Sequence, residues 1–214
     1  LTKPQRPLVA IVGGSKVSTK IDLLNNLIHK VDTLVVGGGM ANTFLLAQGF
    51  YIGASLAEHA LKDSALNILN SAEKAGCSIL LPTDVVVAKE LNVNVESFVV
   101  PVNECPEDTM ILDVGPQTVE RIKESLLNTE TLVWNGPLGA FEIKPFDRAT
   151  NDLANFVSKL SNNNKLVSIA GGGDTLAALK NAEASNGFSY LSTAGGAFLE
   201  WMEGKKLPGI TALQ

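Results

Sequence analysis

Cysteine is scarce in this chain: Cys77 and Cys105 are its only two in 214 residues. Neither belongs to a Cys-x-x-Cys pair or a Cys/His cluster. Two scattered thiols argue against a disulfide framework and suit a reducing compartment. Positive charge is also in short supply, with 17 Lys and Arg against 22 Asp and Glu and a net charge of -5. The chain therefore lacks the broad basic field that nucleic-acid binding requires. An anionic ligand must meet local positive groups instead. No apolar run reaches the roughly 18 residues that a membrane span needs. Leu1-Thr2-Lys3-Pro4 shows no signal-peptide pattern, so the expected location is the cytoplasm. There is no initial Met, and Met40, Met110 and Met202 are all internal, as expected of a piece of a longer protein. Two nucleotide fingerprints are missing as well: no GxxxxGK[ST] loop occurs, and no GxGxxG follows a strand-like run. His29 and His59 have no nucleophile or carboxylate partner in a motif and read as ordinary helix residues.

What is present is ordinary globular material, 45% hydrophobic and 18% charged, enough for a sizeable core. At about 150 residues per domain the length suits one large domain or two small ones. No linker, charge run or repeat divides it, so residues 1–214 read as one domain. Short β-branched runs alternate with helical spacing. Strands are expected at Pro7–Val12, Thr33–Val36, Ser78–Leu81, Met110–Asp113, Thr131–Trp134, Leu166–Ala170 and Tyr190–Thr193. Helices are expected at Val17–His29, Met40–Ala47, Ala57–Ala75, Thr118–Leu127, Asp147–Leu160 and Thr175–Ala184, with a last one from Gly195 to Glu203. Val85–Val102 is β-rich and has room for a small antiparallel excursion. This alternation implies an α/β fold, a doubly wound, mostly parallel Rossmann-like sheet with helices on both faces. Ligands of such folds sit beyond the carboxyl ends of the strands.

The glycines gather at those ends: Gly13-Gly14, Gly37-Gly38-Gly39, Gly171-Gly172-Gly173 and Gly195-Gly196. Any single cluster is explained by a tight turn or close helix packing. Several on one sheet edge suit a ligand with several phosphates, held by free N–H groups at helix starts. Lys16 and Lys20 lie four apart, in or just before the first turns of a helix. On one helix face they would repel each other and oppose the helix dipole, unless a polyanion bound there. Solvated surface lysines are the plainer reading. Asp174 follows three glycines and opens a helix, where it serves as an N-cap, as a ligand-side carboxylate for Mg²⁺, or as both. Asn135-Gly136-Pro137 is first of all a turn, and Glu142 five residues later is either a surface residue or an acceptor for ribose hydroxyls.

Together these segments resemble the phosphoglycerate kinase family. The resemblance is carried by Val12–Lys20, Gly37–Phe44, Leu81-Pro82-Thr83-Asp84, Asp113-Val114-Gly115-Pro116, Trp134–Glu142, Gly171–Thr175 and Ser192–Ala197, in the family's order. It covers nearly the whole chain, from about Arg6 onward. It implies the C-terminal, nucleotide-binding half of a two-domain hinge-bending kinase that uses ATP or ADP with Mg²⁺. The phosphoglycerate would be bound by an N-terminal half absent from this sequence, and Leu207–Gln214 resemble the tail that returns to it. The complete enzyme would be a monomer, without nucleic-acid or membrane partners. By the same resemblance Lys20 lies on the nucleotide phosphates, and Lys16 follows the transferring phosphoryl group. Asp174 holds the Mg-nucleotide, with Thr175 beside it. Gly172, Gly173, Gly195 and Gly196 present backbone N–H groups to phosphates, Gly173, Gly195 and Gly196 around the group in flight. Gly13, Gly14, Gly38, Leu56 and Leu112 line the adenine slot, Asn135 and Pro137 flank the nucleotide, and Glu142 binds ribose. Ala194 stands where many members carry a third glycine. Two other functions stay open: a nucleotide-binding module without turnover, and an NAD-dependent oxidoreductase, which the missing GxGxxG disfavours.

Overall fold

A computed structural model describes residues 4–193 and 202 of the chain. The first strand, β1 (Leu8–Val12), is buried on both faces, as its unbroken run of apolar residues requires. Its side chains alternate: Leu8, Ala10 and Val12 enter one core, Val9 and Ile11 the other. Parallel to it on one side run β2 (Thr33–Val36) and then β3 (Ser78–Leu80). On its other side run β7 (Thr131–Asn135), β8 (Val167–Gly171) and β9 (Tyr190–Ser192), again parallel. The six-stranded order is therefore β3-β2-β1-β7-β8-β9. The direction of winding reverses between β1 and β7.

Helices cover both faces. One core joins the sheet to α1 (Ile21–Leu27), α2 (Gly38–Ala47) and α3 (Lys62–Ala75), through Leu23, Leu24, Met40, Phe44, Ala65 and Ile68. The other joins it to α4 (Pro116–Leu126), α5 (Arg148–Asn162) and α6 (Gly173–Asn181), through Val119, Ile122, Leu153, Val157 and Leu179. On α3, the buried Ala65, Ile68 and Ala72 recur every three or four residues, which is the period of one helix face. Gly76 ends that helix with φ +73, the left-handed conformation that glycine adopts without a Cβ penalty.

The β-rich stretch is an antiparallel excursion, as expected, but larger. β4 (Asp84–Ala88) pairs with β5 (Ser97–Pro101) and also with β6 (Met110–Val114). Thus β6 belongs to a separate three-stranded sheet, order β5-β4-β6, and not to the parallel sheet. A third core, with Val85, Val87 and Val102, packs that sheet against Leu45 of α2.

Two aspartates of the small sheet reach across to the helices of the main layer. Asp84 accepts from the amides of Gln117 (2.9 Å) and Thr118 (2.7 Å) and from the Thr118 hydroxyl (2.6 Å), capping α4 from outside its own chain segment. Asp113 accepts from the Ala149 amide in the first turn of α5 (3.0 Å) and from that of Val114 (2.9 Å). Gly115 and Gly139 lie against these carboxylates so closely that a Cβ at either would collide with them. Burial pushes the Asp113 carboxyl well above the usual carboxylate range, with the nearby Asp147 adding to the rise and the two amide bonds opposing it.

Most helix ends shift by one to three residues from the sequence expectation, and two helix starts lie further along the chain. The first helix begins at Ile21 and not at Val17: the Lys20 amide bonds to the Val17 carbonyl (2.8 Å) in a turn that precedes it. Lys20 is therefore the N-cap of α1, and Lys16 lies in the loop before it, so the two share no helix face. Ahead of α3, residues His59–Leu61 form a 3-10 turn in place of α-helix. The helix expected from Gly195 lies outside the described residues apart from Met202, which is buried in the first core.

Candidate functional site

A cavity of about 370 Å³ opens beside the switch point between β1 and β7. Its walls are mostly apolar, with Leu56, Leu91, Met110, Ile111, Leu112 and Leu138 contributing. Glycine backbone at Gly14, Gly38 and Gly139 forms another part of the lining, and Glu142 and Asp174 supply carboxylates. Three of the four glycine clusters sit at the carboxyl ends of parallel strands, β1, β2 and β8. The fourth, Gly195-Gly196, lies outside the described residues, as does Ala194.

Of the residues singled out in the sequence, the cavity gathers Gly14, Gly38, Leu56, Leu112, Pro137, Glu142 and Asp174. Gly38 adopts φ +68 and lies on the backbone of Gly14, an approach that no side chain would permit. Gly13 is not part of the lining. It packs against Gly136 and Pro137, joining the ends of β1 and β7, and its amide donates to the Asn135 carbonyl (2.8 Å).

Lys20 stands directly behind the glycine wall: a Cβ at Gly14 would lie 3.5 Å from its Nζ. The ammonium donates to the Gly13 carbonyl and to Asn135 Oδ1 (2.7 Å). Both partners are neutral. Burial pulls the Lys20 pKa down to about 8, and attraction to Asp174 opposes the fall. The buried Asn135 uses its other amide corner on the Gly171 carbonyl (2.8 Å), so one side chain ties Lys20 to the end of β8. Thr175 closes the same network: its hydroxyl donates to Gly171 O (2.8 Å) and accepts from the Gly136 amide (2.7 Å).

Asp174 corrects one sequence expectation. The N-cap of α6 is Gly172, and Asp174 sits one position into the first turn, exposed, without a hydrogen bond or ion pair to any described residue. Its carboxylate is thus not used up in capping. The first backbone bond of α6 runs from Leu176 N to Gly172 O (3.0 Å), which leaves the amides of Gly173, Asp174 and Thr175 without intrahelical acceptors. Lys16 is exposed and outside the lining. Among the described residues no group of three or more His, Cys, Asp or Glu side chains is placed to hold a metal by itself. A single free carboxylate suits Mg²⁺ of the kind that takes most of its oxygens from phosphates and water.

Among the lining residues that sequence reasoning passed over are Asn42 and Asp113. Both fall inside quoted segments, Gly37–Phe44 and Asp113–Pro116, yet neither spacing nor residue type separates them from helix and strand filler.

The reversed winding and the cleft at its carboxyl edge define a doubly wound α/β domain of the kind that receives ligands at its switch point. The family model for phosphoglycerate kinase matches residues 1–205, and the chain belongs to that family. It is 60% identical over 214 residues to phosphoglycerate kinase of Chelativorans sp. (strain BNC1), covering 100% of this chain and 54% of that protein. The homologue of Ruegeria sp. (strain TM1040) is 59% identical over 214 residues, with the same coverages of 100% and 54%. Among solved structures, phosphoglycerate kinase from Coxiella burnetii superposes with a TM-score of 0.94 at 50% identity, covering 100% of this chain and 54% of its own. The protein from Pyrococcus horikoshii OT3 gives 0.74 at 26% identity, covering 98% of this chain and 52% of its own. The chain thus spans about half the length of the relatives it matches.

Proposed function

We propose that residues 1–214 are the C-terminal, nucleotide-binding domain of a phosphoglycerate kinase, which binds Mg-ADP or Mg-ATP in the switch-point cleft. The observation that carries this reading is the half-buried, partly desolvated ammonium of Lys20, which has only neutral acceptors in contact and sits behind a glycine wall beside an apolar cavity. A polyphosphate supplies the countercharge that the fold withholds. The base occupies the apolar part of the cavity, against Leu56 and Leu112, and Glu142 accepts from the ribose hydroxyls. The phosphates lie toward Lys20 and the open amides of Gly173, Asp174 and Thr175, and the family resemblance assigns Gly172, Gly195 and Gly196 to them as well.

The complete enzyme is a cytoplasmic, glycolytic phosphotransferase with a carboxyl group as acceptor. It moves a phosphoryl group reversibly between 1,3-bisphosphoglycerate and ADP, giving 3-phosphoglycerate and ATP. It works as a monomer, and the phosphoglycerate enters through the other half. Positioning and charge stabilisation account for most of such catalysis. Lys20 fixes phosphates that ADP and ATP share, and Lys16, free in its loop, follows the group in flight. Among the described residues Asp174 would hold the metal, and Mg²⁺ would supply positive charge that offsets that of the phosphates. The chain alone binds nucleotide but does not turn over.

Calorimetric titration with ADP, with and without Mg²⁺, tests the reading. Binding below millimolar concentration that Mg²⁺ strengthens is expected. Asp174→Asn should lose the Mg²⁺ effect while keeping the fold, since Asp174 makes no capping bond. A folded chain that ignores millimolar ADP overturns the proposal.

A further inference from the structure

The loop that carries Lys16 is fastened from outside its own segment. Half-buried Glu58 turns its carboxylate onto Ser18: one oxygen accepts from the Ser18 amide (2.9 Å), the other from the Ser18 hydroxyl (2.5 Å). Ser18 is two residues beyond Lys16, and the Thr19 hydroxyl donates to the Lys16 carbonyl (2.9 Å), so the grip extends to the Lys16 backbone. Glu58 is held in turn by the second turn of α2. Its amide donates to the Thr43 hydroxyl (3.0 Å), and Asn42 Nδ2 donates to the nearby Leu56 carbonyl (3.1 Å). Hydrogen bonds therefore connect α2, through residues 56–58, to the Lys16 loop. Burial raises the Glu58 carboxyl pKa, but the Ser18 bonds, with smaller help from the Val17 amide and the Lys16 charge, outweigh it and hold the carboxyl below its ordinary value.

Glu58 occupies the N-cap of the 3-10 turn at His59–Leu61, yet its side chain makes no capping bond there. Both oxygens are given instead to a turn 40 residues away. The two lysines differ in their need for such an anchor. Lys20 is seated by its own ammonium, on the Gly13 carbonyl and Asn135. The Lys16 ammonium has no ion pair among the described residues, so its place is set through its backbone. We infer that Glu58 is a positioning residue: by clamping Ser18 it fixes the Lys16 backbone and so sets the reach of Lys16 toward the terminal phosphate of ATP. This rests on the reading that Lys16 follows the transferring phosphoryl group. Charge alone predicts the opposite sign, because a carboxylate near phosphates repels them and its removal should tighten binding of every nucleotide. A clamp predicts weaker binding of ATP with ADP spared, since only ATP carries the phosphate that Lys16 meets.

Calorimetry with Mg-ATP and Mg-ADP tests the inference on the unaltered chain, Glu58→Ala, Glu58→Gln, Lys16→Ala and the Lys16→Ala/Glu58→Ala double variant. Glu58→Ala should weaken ATP binding by about fivefold and change ADP binding by less than about twofold. Glu58→Gln should stay within about twofold of the unaltered chain for both ligands, because its amide can accept from the Ser18 N–H and donate to the Ser18 hydroxyl. In the Lys16→Ala background, Glu58→Ala should leave the ATP-to-ADP affinity ratio unchanged, the mark of two residues acting as one. An unchanged ratio in Glu58→Ala overturns the inference, as does a parallel loss of both ligands or an equal loss in Glu58→Gln. Should Glu58→Ala not fold, Ser18→Ala, which removes one of the two bonds, decides: a ratio undiminished there also overturns it. Absence of nucleotide binding by the unaltered chain marks failure of the nucleotide reading and overturns both. A ratio that falls in Lys16→Ala but holds in Glu58→Ala marks failure of Glu58 alone.

Discussion

The Lys20 ammonium is caught between two requirements. Its stem and head are drawn into the junction of three strand ends, and its contacts there are a backbone carbonyl and an amide oxygen. A charge so placed is destabilising until an anion arrives, and this fixes the sign of two pH effects. In the folded chain its pKa is about 8, below the value of roughly 10.4 for an unfolded lysine. Between those values the unfolded chain binds more protons, so stability rises with pH across that window, while below about pH 8 the full penalty applies. The gain should be on the order of 3 kcal/mol and should vanish in Lys20→Met; urea unfolding at pH 7 and pH 10 checks it. Nucleotide binding runs the other way. Phosphates favour the charged form, so ADP affinity should fall above pH 8, by up to about tenfold per unit, and should be flat there in Lys20→Met.

The two lysines also separate by role. Lys20→Ala should weaken ADP binding by roughly 1.5–3 kcal/mol, the scale of a charged hydrogen bond. Lys16→Ala should leave ADP affinity nearly unchanged, because its side chain is exposed and away from the cavity. In an enzyme that includes the other half, Lys16→Ala should lower kcat by a factor on the order of 10². A Lys16 variant that loses ADP affinity but keeps kcat would reverse the assignment.

Among the elements, the central parallel strands were legible because both their faces are buried, which leaves unbroken apolar runs such as Leu8–Val12 and Leu34–Val36. The start of α1 was not. Val17 is fully buried and continues the helical spacing backward, but it is buried from a turn. Nor could residue type show which sheet claims β6, since Met110–Val114 reads as a strand in either. Gly172 takes the N-cap that Asp174 fills in the sequence reading, and it does so with φ +100, a conformation no residue pattern prints. The pairing of Lys20 with Asn135 joins positions 115 apart, so the strand-end motifs pointed to a shared edge without disclosing that contact. For the capping contacts, Asp84→Ala should cost roughly 2–4 kcal/mol, combining a lost cap with buried amides left unpaired. Gly115→Ala should approach that cost by displacing the same carboxylate. A urea midpoint that falls at constant m-value is the expected result for both.

At the scale of the whole molecule, both thiols are buried, and burial raises the pKa of each above its ordinary value. Cys77 belongs to the core under α1, α2 and α3, whereas Cys105 belongs to the core of the small sheet. Labelling by a thiol reagent at neutral pH should therefore be slow at both positions and should proceed only through opening of the respective core. If ADP binds as proposed, saturating nucleotide should slow both reactions, because the cavity is lined from both of those layers. Acceleration of either by nucleotide would show that ligand loosens that core.

Asp84 and Asp113 carry a consequence for how the chain breathes. Each is fixed to a strand of the small sheet and yet terminates a helix of the main layer. A local unfolding event that frees the small sheet must strip α4 and α5 of their caps, and one that frays either helix must strand a buried carboxyl. Subglobal opening of the three-stranded sheet alone is thereby suppressed. In native-state hydrogen exchange, the amides of Thr118 and Ala149 should exchange at the rate of the β4–β6 ladder, not at the faster rate usual for a helix's first turn. What looks in sequence like an insertion between two parallel strands would then report, amide by amide, as one cooperative unit with the helices it caps.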